Sequence, residues 1–127
     1  GNASLMRLAL ESWTDGCLHE GLAAREVQEQ AQNAANPAIK EVLSQIAKEE
    51  LTHENLAWDV IQWALQEGGP EIKNALQATL MHRPKASGNT PEENSSLQKL
   101  GALSKQTRTE LYNQHLGESR ARLQGLL

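Results

Sequence analysis

The chain has 127 residues, a formal net charge of -4 and 39% hydrophobic residues. That is the size of one small domain, with apolar content low enough to point to surface buried against a partner chain. Three Trp, one Tyr, no Phe, a single cysteine (Cys17), no basic block, no signal-peptide pattern and no bilayer-length apolar run exclude several classes: a stacking platform or phosphate-backbone binder for nucleic acid, a disulfide scaffold, a cysteine zinc site and a membrane span. A soluble cytoplasmic protein is the expected class, with neither nucleic acid nor membrane as partner.

Abundant Ala, Leu, Glu and Gln, with few Val, Ile and Tyr, favour helices over strands. The pattern predicts a long first helix from about Ser4 to Ala34. Asn36-Pro37 then suits an N-cap followed by the first helical residue, because proline lacks an N–H that would be orphaned there anyway. A second long helix runs from Pro37 to about Glu67 and stops at Gly68-Gly69-Pro70. A short helix follows over about Pro70–Met81, then a polar loop near 83–95. Thr90-Pro91-Glu92-Glu93 reads as a capping box for a short helix ending near Gly101. Ser104 is placed to cap a last helix reaching about Gln124, with a thin apolar stripe of Tyr112, Leu116, Leu123 and Leu127. The expected architecture is a single all-α domain over 1–127. It comprises a hairpin of two long helices over 4–67 and shorter helices over 70–127.

The informative feature is the seam on the two long helices. Steps of three and four along the first give Met6, Leu10, Trp13, Cys17, Glu20, Ala24, Val27, Ala31 and Ala34. Along the second they give Ile39, Leu43, Ile46, Glu50, His53, Ala57, Val60 and Ala64. Folding the hairpin about Asn36 sets Glu20 level with Glu50 and His53, so three ionisable seam residues share one layer. Inside a bundle an unpaired carboxylate costs several kcal/mol, about 2 or more. Two facing acids also raise one another's pKa. A cation removes both penalties, and carboxylate oxygens with a neutral imidazole suit iron or manganese, and zinc less exclusively. Di-iron and di-manganese bundles use one Glu from each of two helices and Glu-x-x-His from each of the other two. Glu20 with Glu50-x-x-His53 is half of that set. No second Glu-x-x-His occurs in the chain, and His115 and Glu118 stand in reversed order. The other half is expected from a second copy, with dimerisation completing a four-helix bundle, from a partner, or from sequence outside this chain.

Three stretches carry a family resemblance: Ser12-Trp13-Thr14-Asp15-Gly16-Cys17-Leu18-His19-Glu20-Gly21, Asn36-Pro37-Ala38-Ile39 and Glu49-Glu50-Leu51-Thr52-His53-Glu54-Asn55-Leu56-Ala57-Trp58. The chain resembles the ferritin-like di-iron carboxylate superfamily, closest to bacterial ferritin-like domain proteins, over roughly residues 5 to 67. Longer members carry an earlier hairpin with its own acid and Glu-x-x-His, and this chain matches only the later one. The resemblance implies that Glu20, Glu50 and His53 ligate iron or manganese, with oxygen or peroxide chemistry as the activity class.

Other residues receive blander readings. Glu49 and Glu54 read as a solvated face, with a secondary role in orienting His53. His19, His82 and His115 read as surface residues and Cys17 as a small core residue. Trp13, Trp58 and Trp63 read as packing anchors, with an electron-transfer role for Trp13 as a weaker option. Gly16 and Gly21 imply close helix packing or room for a small ligand. The function expected is a di-metal centre, with iron first and manganese or zinc as options, in a homodimer with ferroxidase or oxygen-activating chemistry. The alternatives are a non-catalytic dimerisation or interaction module, and the C-terminal part of a larger di-iron oxidase.

Overall fold

The computed structural model describes residues 2–82 and 101–127, so the expected loop near 83–95 and the capping box at Thr90 lie outside the described residues. Every element among the described residues is helical. α1 spans Asn2–Glu11, a π-helical segment spans Ser12–Glu20, and α2 spans Gly21–Asn33. α3 spans Pro37–Gly68, α4 Pro70–Leu80 and α5 Lys105–Leu126. The all-α class is as expected.

The local causes are those written in the sequence. The Asn36 side chain accepts hydrogen bonds from the backbone N–H of Ala38 (2.8 Å) and Ile39 (3.3 Å), capping α3 behind Pro37. Gly69 has φ 61°, a left-handed conformation that ends α3, and Pro70 starts α4. Ser104 accepts from the Thr107 N–H at 3.1 Å and caps α5.

The α1–π–α2 run and α3 pack as antiparallel rods: Gly16 meets Ala57, and further along Gly21 meets Glu54. A methyl group at Gly16 would overlap the Ala57 methyl, so glycine lets the two backbones approach here. Together with α4 and α5 they enclose a core in which Cys17, Trp58, Ile61, Ile72, Leu76 and Leu123 are fully buried. Trp13 meets Trp58 edge-on, with ring centroids 5.8 Å apart at 68°, and the Arg122 guanidinium lies 4.4 Å over the Trp58 ring. α5 is fixed to α4 by Arg120, which donates to the Leu80 carbonyl and, at 3.3 Å, to that of His82.

Four expectations need correction. The first long helix is not α-helical throughout: nine residues, Ser12–Glu20, are wound as a π-helix. The inward line therefore runs Trp13, Cys17, Gly21, Ala24, not Trp13, Cys17, Glu20, Ala24, and Glu20 moves to a half-buried flank. On α3 the buried line is Glu54, Ala57, Trp58, Ile61 and Ala64, so Glu50 is half-buried and His53 exposed. Trp63 is no packing anchor, being 50% exposed. It lies on a stripe with Val42, Ile46, His53 and Leu56, which recur at helical steps and are all exposed on α3. α5, finally, buries His115 and Ser119 beside Leu116 and Leu123, whereas its apolar pattern alone placed His115 at the surface.

Candidate functional site

Glu20 ends the π segment, and Glu50 and His53 lie one turn apart on α3. One ligand atom from each lies within 4.8 Å of the other two. His53 Nδ1 stands 3.8 Å from Glu20 Oε1. Two ligands on a single transition-metal ion, each about 2.0–2.2 Å from it, sit at most roughly 4.4 Å apart. The His53–Glu20 pair meets that limit, and the Glu50 carboxylate lies within 4.8 Å of both. The donor set, two carboxylates and an imidazole, suits iron, manganese or zinc. Burial does not force a cation here. The side chains of His53 and Glu20 are 54% and 41% exposed, so water solvates the trio in the single chain. Exposed acids of this kind are common in proteins without any metal.

A second polar cluster lies deeper, and sequence reasoning missed it. Glu54, next to His53 in the chain, is 4% exposed and faces away from solvent into the junction of the π segment, α2, α3 and α5. Its Oε1 accepts from Arg25 Nη1 at 2.6 Å, and Arg25 also donates to the Gly21 carbonyl at 3.1 Å. Its Oε2 is 4.0 Å from His115 Nε2. That nitrogen donates to the Cys17 carbonyl at 2.7 Å and lies 3.3 Å from Ser119 Oγ. A carbonyl only accepts, so Nε2 carries the hydrogen. Burial holds the His115 imidazole below its ordinary range, partly opposed by the bond to Cys17 and by Glu54. Burial likewise pushes the Cys17 thiol up to about 12, aided by Glu54 and opposed by Arg122, which makes it inert as a nucleophile.

Gly21 fits against this cluster. A Cβ there would strike Glu54 Oε2 and come within 2.7 Å of the His115 ring. Gly16 and Gly21 are therefore explained by packing, against a methyl group and an ion pair respectively. Glu54 is part of the interior and Glu49 stays exposed. Trp13 is in the core on Trp58. The signal that could have located the cluster is one of spacing. Antiparallel pairing about Asn36 sets Glu54 near the level of Leu18 to Gly21, where glycine leaves room for a side chain from α3, and Arg25, one turn nearer the hairpin bend, reaches back to the Gly21 carbonyl and to Glu54.

Compared with protein-family models, with curated proteins and with solved structures, the chain matches none. No helix among the described residues is long and apolar enough to cross a membrane.

Proposed function

We propose that the chain is a ferritin-like metal-binding protein in which two copies lay their Asn2–Gly68 hairpins face to face. Each contributes Glu20, Glu50 and His53 to a di-metal centre. The observation that carries the reading is the convergence of those three side chains from two elements. A second supports it: His53 lies on a stripe whose apolar members are exposed, with Leu56 at 61% and Trp63 at 50%. A second copy on this stripe would remove apolar surface from water and cover the trio, supplying the burial the single chain lacks. Glu20 and Glu50 would hold the metal through carboxylate oxygens and His53 through one ring nitrogen. Iron is the first candidate, with manganese and zinc admitted by the same donors. When bound, such a metal pair supplies Fe(II) oxidation or oxygen activation.

Anaerobic titration with Fe(II), with metal content and mass in solution read together, tests this. About two ions per dimer are expected, lost in Glu50→Ala and in His53→Ala. A monomer without bound metal overturns it.

The exposure of Glu20 and His53 favours a second reading, a non-catalytic helical module that dimerises or docks through the Val42–Trp63 stripe and holds no metal. A dimer whose mass is indifferent to chelator and whose metal content is zero selects this reading.

A further inference from the structure

We propose that the cleft between α2 and α3, on the flank opposite the apolar stripe, binds an amphipathic anion: a carboxylate on a slim aliphatic body. Lys40, Ser44, Lys48 and Leu51 line it from α3 and lie about half a helical turn from Val42, Ile46 and Leu56. The cleft therefore opens on a different surface from the one assigned to the second copy. It is an open groove of about 530 Å³, within the range of small-ligand sites, about 300–1,000 Å³.

Charge and shape identify the occupant. The whole chain carries 16 acidic and 12 basic residues, yet none of the residues lining the cleft is acidic and three are Arg25, Lys40 and Lys48. Arg25 is already neutralised by Glu54 at 2.6 Å. Lys40 and Lys48 are exposed and have no acidic partner among the described residues. They lie about 12 Å apart along the helix at about 1.5 Å per residue, with the Ser44 hydroxyl between them. Ala24 and Ala31 on α2 and Ala47 and Leu51 on α3 give the cleft its apolar lining, beside the side-chain amides of Gln28 and Gln32. Methyl groups leave a slot that suits a methylene chain. Either ammonium meets the carboxylate and the apolar lining meets the chain, so one ligand satisfies both features. Each methylene removed from water is worth about fourfold in affinity, from about 0.8 kcal/mol apiece.

Titration of the full 127-residue chain with sodium octanoate, followed by ¹H–¹⁵N spectra and calorimetry, tests the proposal. Expected are saturable shifts at the Ala24, Ala31, Ser44 and Ala47 amides, and affinity at least tenfold weaker for butanoate. Lys40→Glu/Lys48→Glu should weaken octanoate about tenfold. Ala47→Leu, which fills the slot and keeps the charges, should weaken it similarly. Helical circular dichroism confirms that the variants are folded. Octanol binding as tightly as octanoate overturns the anionic part. Inorganic phosphate binding as tightly as octanoate overturns the aliphatic part. Octanoate that shifts none of these amides up to millimolar concentration, or is indifferent to the lysine reversal, overturns the whole.

Discussion

Removing the Glu54 carboxylate separates the structural acid from the candidate ligands more sharply than any other change. Glu54→Ala deletes a charge that is 4% exposed and bonded to Arg25 at 2.6 Å. Breaking a buried ion pair by removing one partner costs about 3–5 kcal/mol, because the remaining charge is left uncompensated. The Arg25 side chain is 34% exposed, so its guanidinium can turn partly to water. That discounts the cost to about 2–3 kcal/mol. For a chain of this length such a loss lowers Tm by roughly 6–12 °C. Glu50→Ala, by contrast, removes one of two carboxylates that face each other half-exposed, and should leave the metal-free protein within about 0.5 kcal/mol of the parent or slightly more stable. Thermal melts at 222 nm and urea midpoints, both recorded in chelator, measure the two variants against Glu49→Ala, which changes an exposed acid. The double variant Arg25→Ala/Glu54→Ala should recover part of the loss, since no charge is then stranded. If Glu54→Ala unfolds at the same urea concentration as Glu49→Ala, the interior cluster is not what holds α2, α3 and α5 together.

Three further outcomes are expected. Gly16→Ala must push the π segment off Ala57, costing about 1–3 kcal/mol by overpacking against a helix-propensity gain of about 1 kcal/mol. Gly117→Ala, with open space around the new methyl, keeps the gain alone, so urea midpoints should move in opposite directions. His115 is held below its ordinary 6.5 by burial, so the unfolded chain binds its proton first as pH falls. Stability present above about pH 6.5 should decline towards pH 5.5, and His115→Gln should flatten that slope in urea midpoints taken across the range. Cys17 is fully buried with its thiol pushed to about 12, so an aromatic disulfide reagent should label it only at the rate of global opening. Fast labelling of the folded chain would contradict the packing of the π segment on α3.

The helical architecture was legible because its signals are local. Asn36-Pro37, Gly69-Pro70 and Ser104 each act on their own turn, and each sits at a helix end in the structure. The level at which Glu20, Glu50 and His53 meet was legible too, since it needs only a hairpin turn and a constant rise. What periodicity did not show is which of two adjacent residues faces inward. His53 and Glu54 are neighbours in the chain, and a three-four stripe from Glu50 to Ala57 passes through either one. The choice was made by tertiary partners remote in sequence: Arg25 for Glu54, and for His115 the carbonyl of Cys17. The α5 stripe misled for the same reason. Its buried face contains a histidine and a serine whose polarity is satisfied by elements far away in the chain.

The π segment explains why interior and candidate site divide as they do. In the inward line, three-residue and four-residue steps alternate: an α-helical reading takes Cys17 to Glu20 to Ala24, whereas the wound segment takes Cys17 to Gly21 to Ala24. That exchange puts a residue without a side chain where Glu54 and His115 need room, and turns the Glu20 carboxylate out towards Glu50 and His53. In a regular α-helix Glu20 would take the inward place that Gly21 holds, where any side chain strikes the Glu54 carboxylate. The same winding therefore keeps Arg25 for Glu54 and frees Glu20 for the outer trio. Substitutions that restore a regular α-helix through Ser12–Glu20 should weaken both together, which a combined readout of urea midpoint and Fe(II) stoichiometry would register.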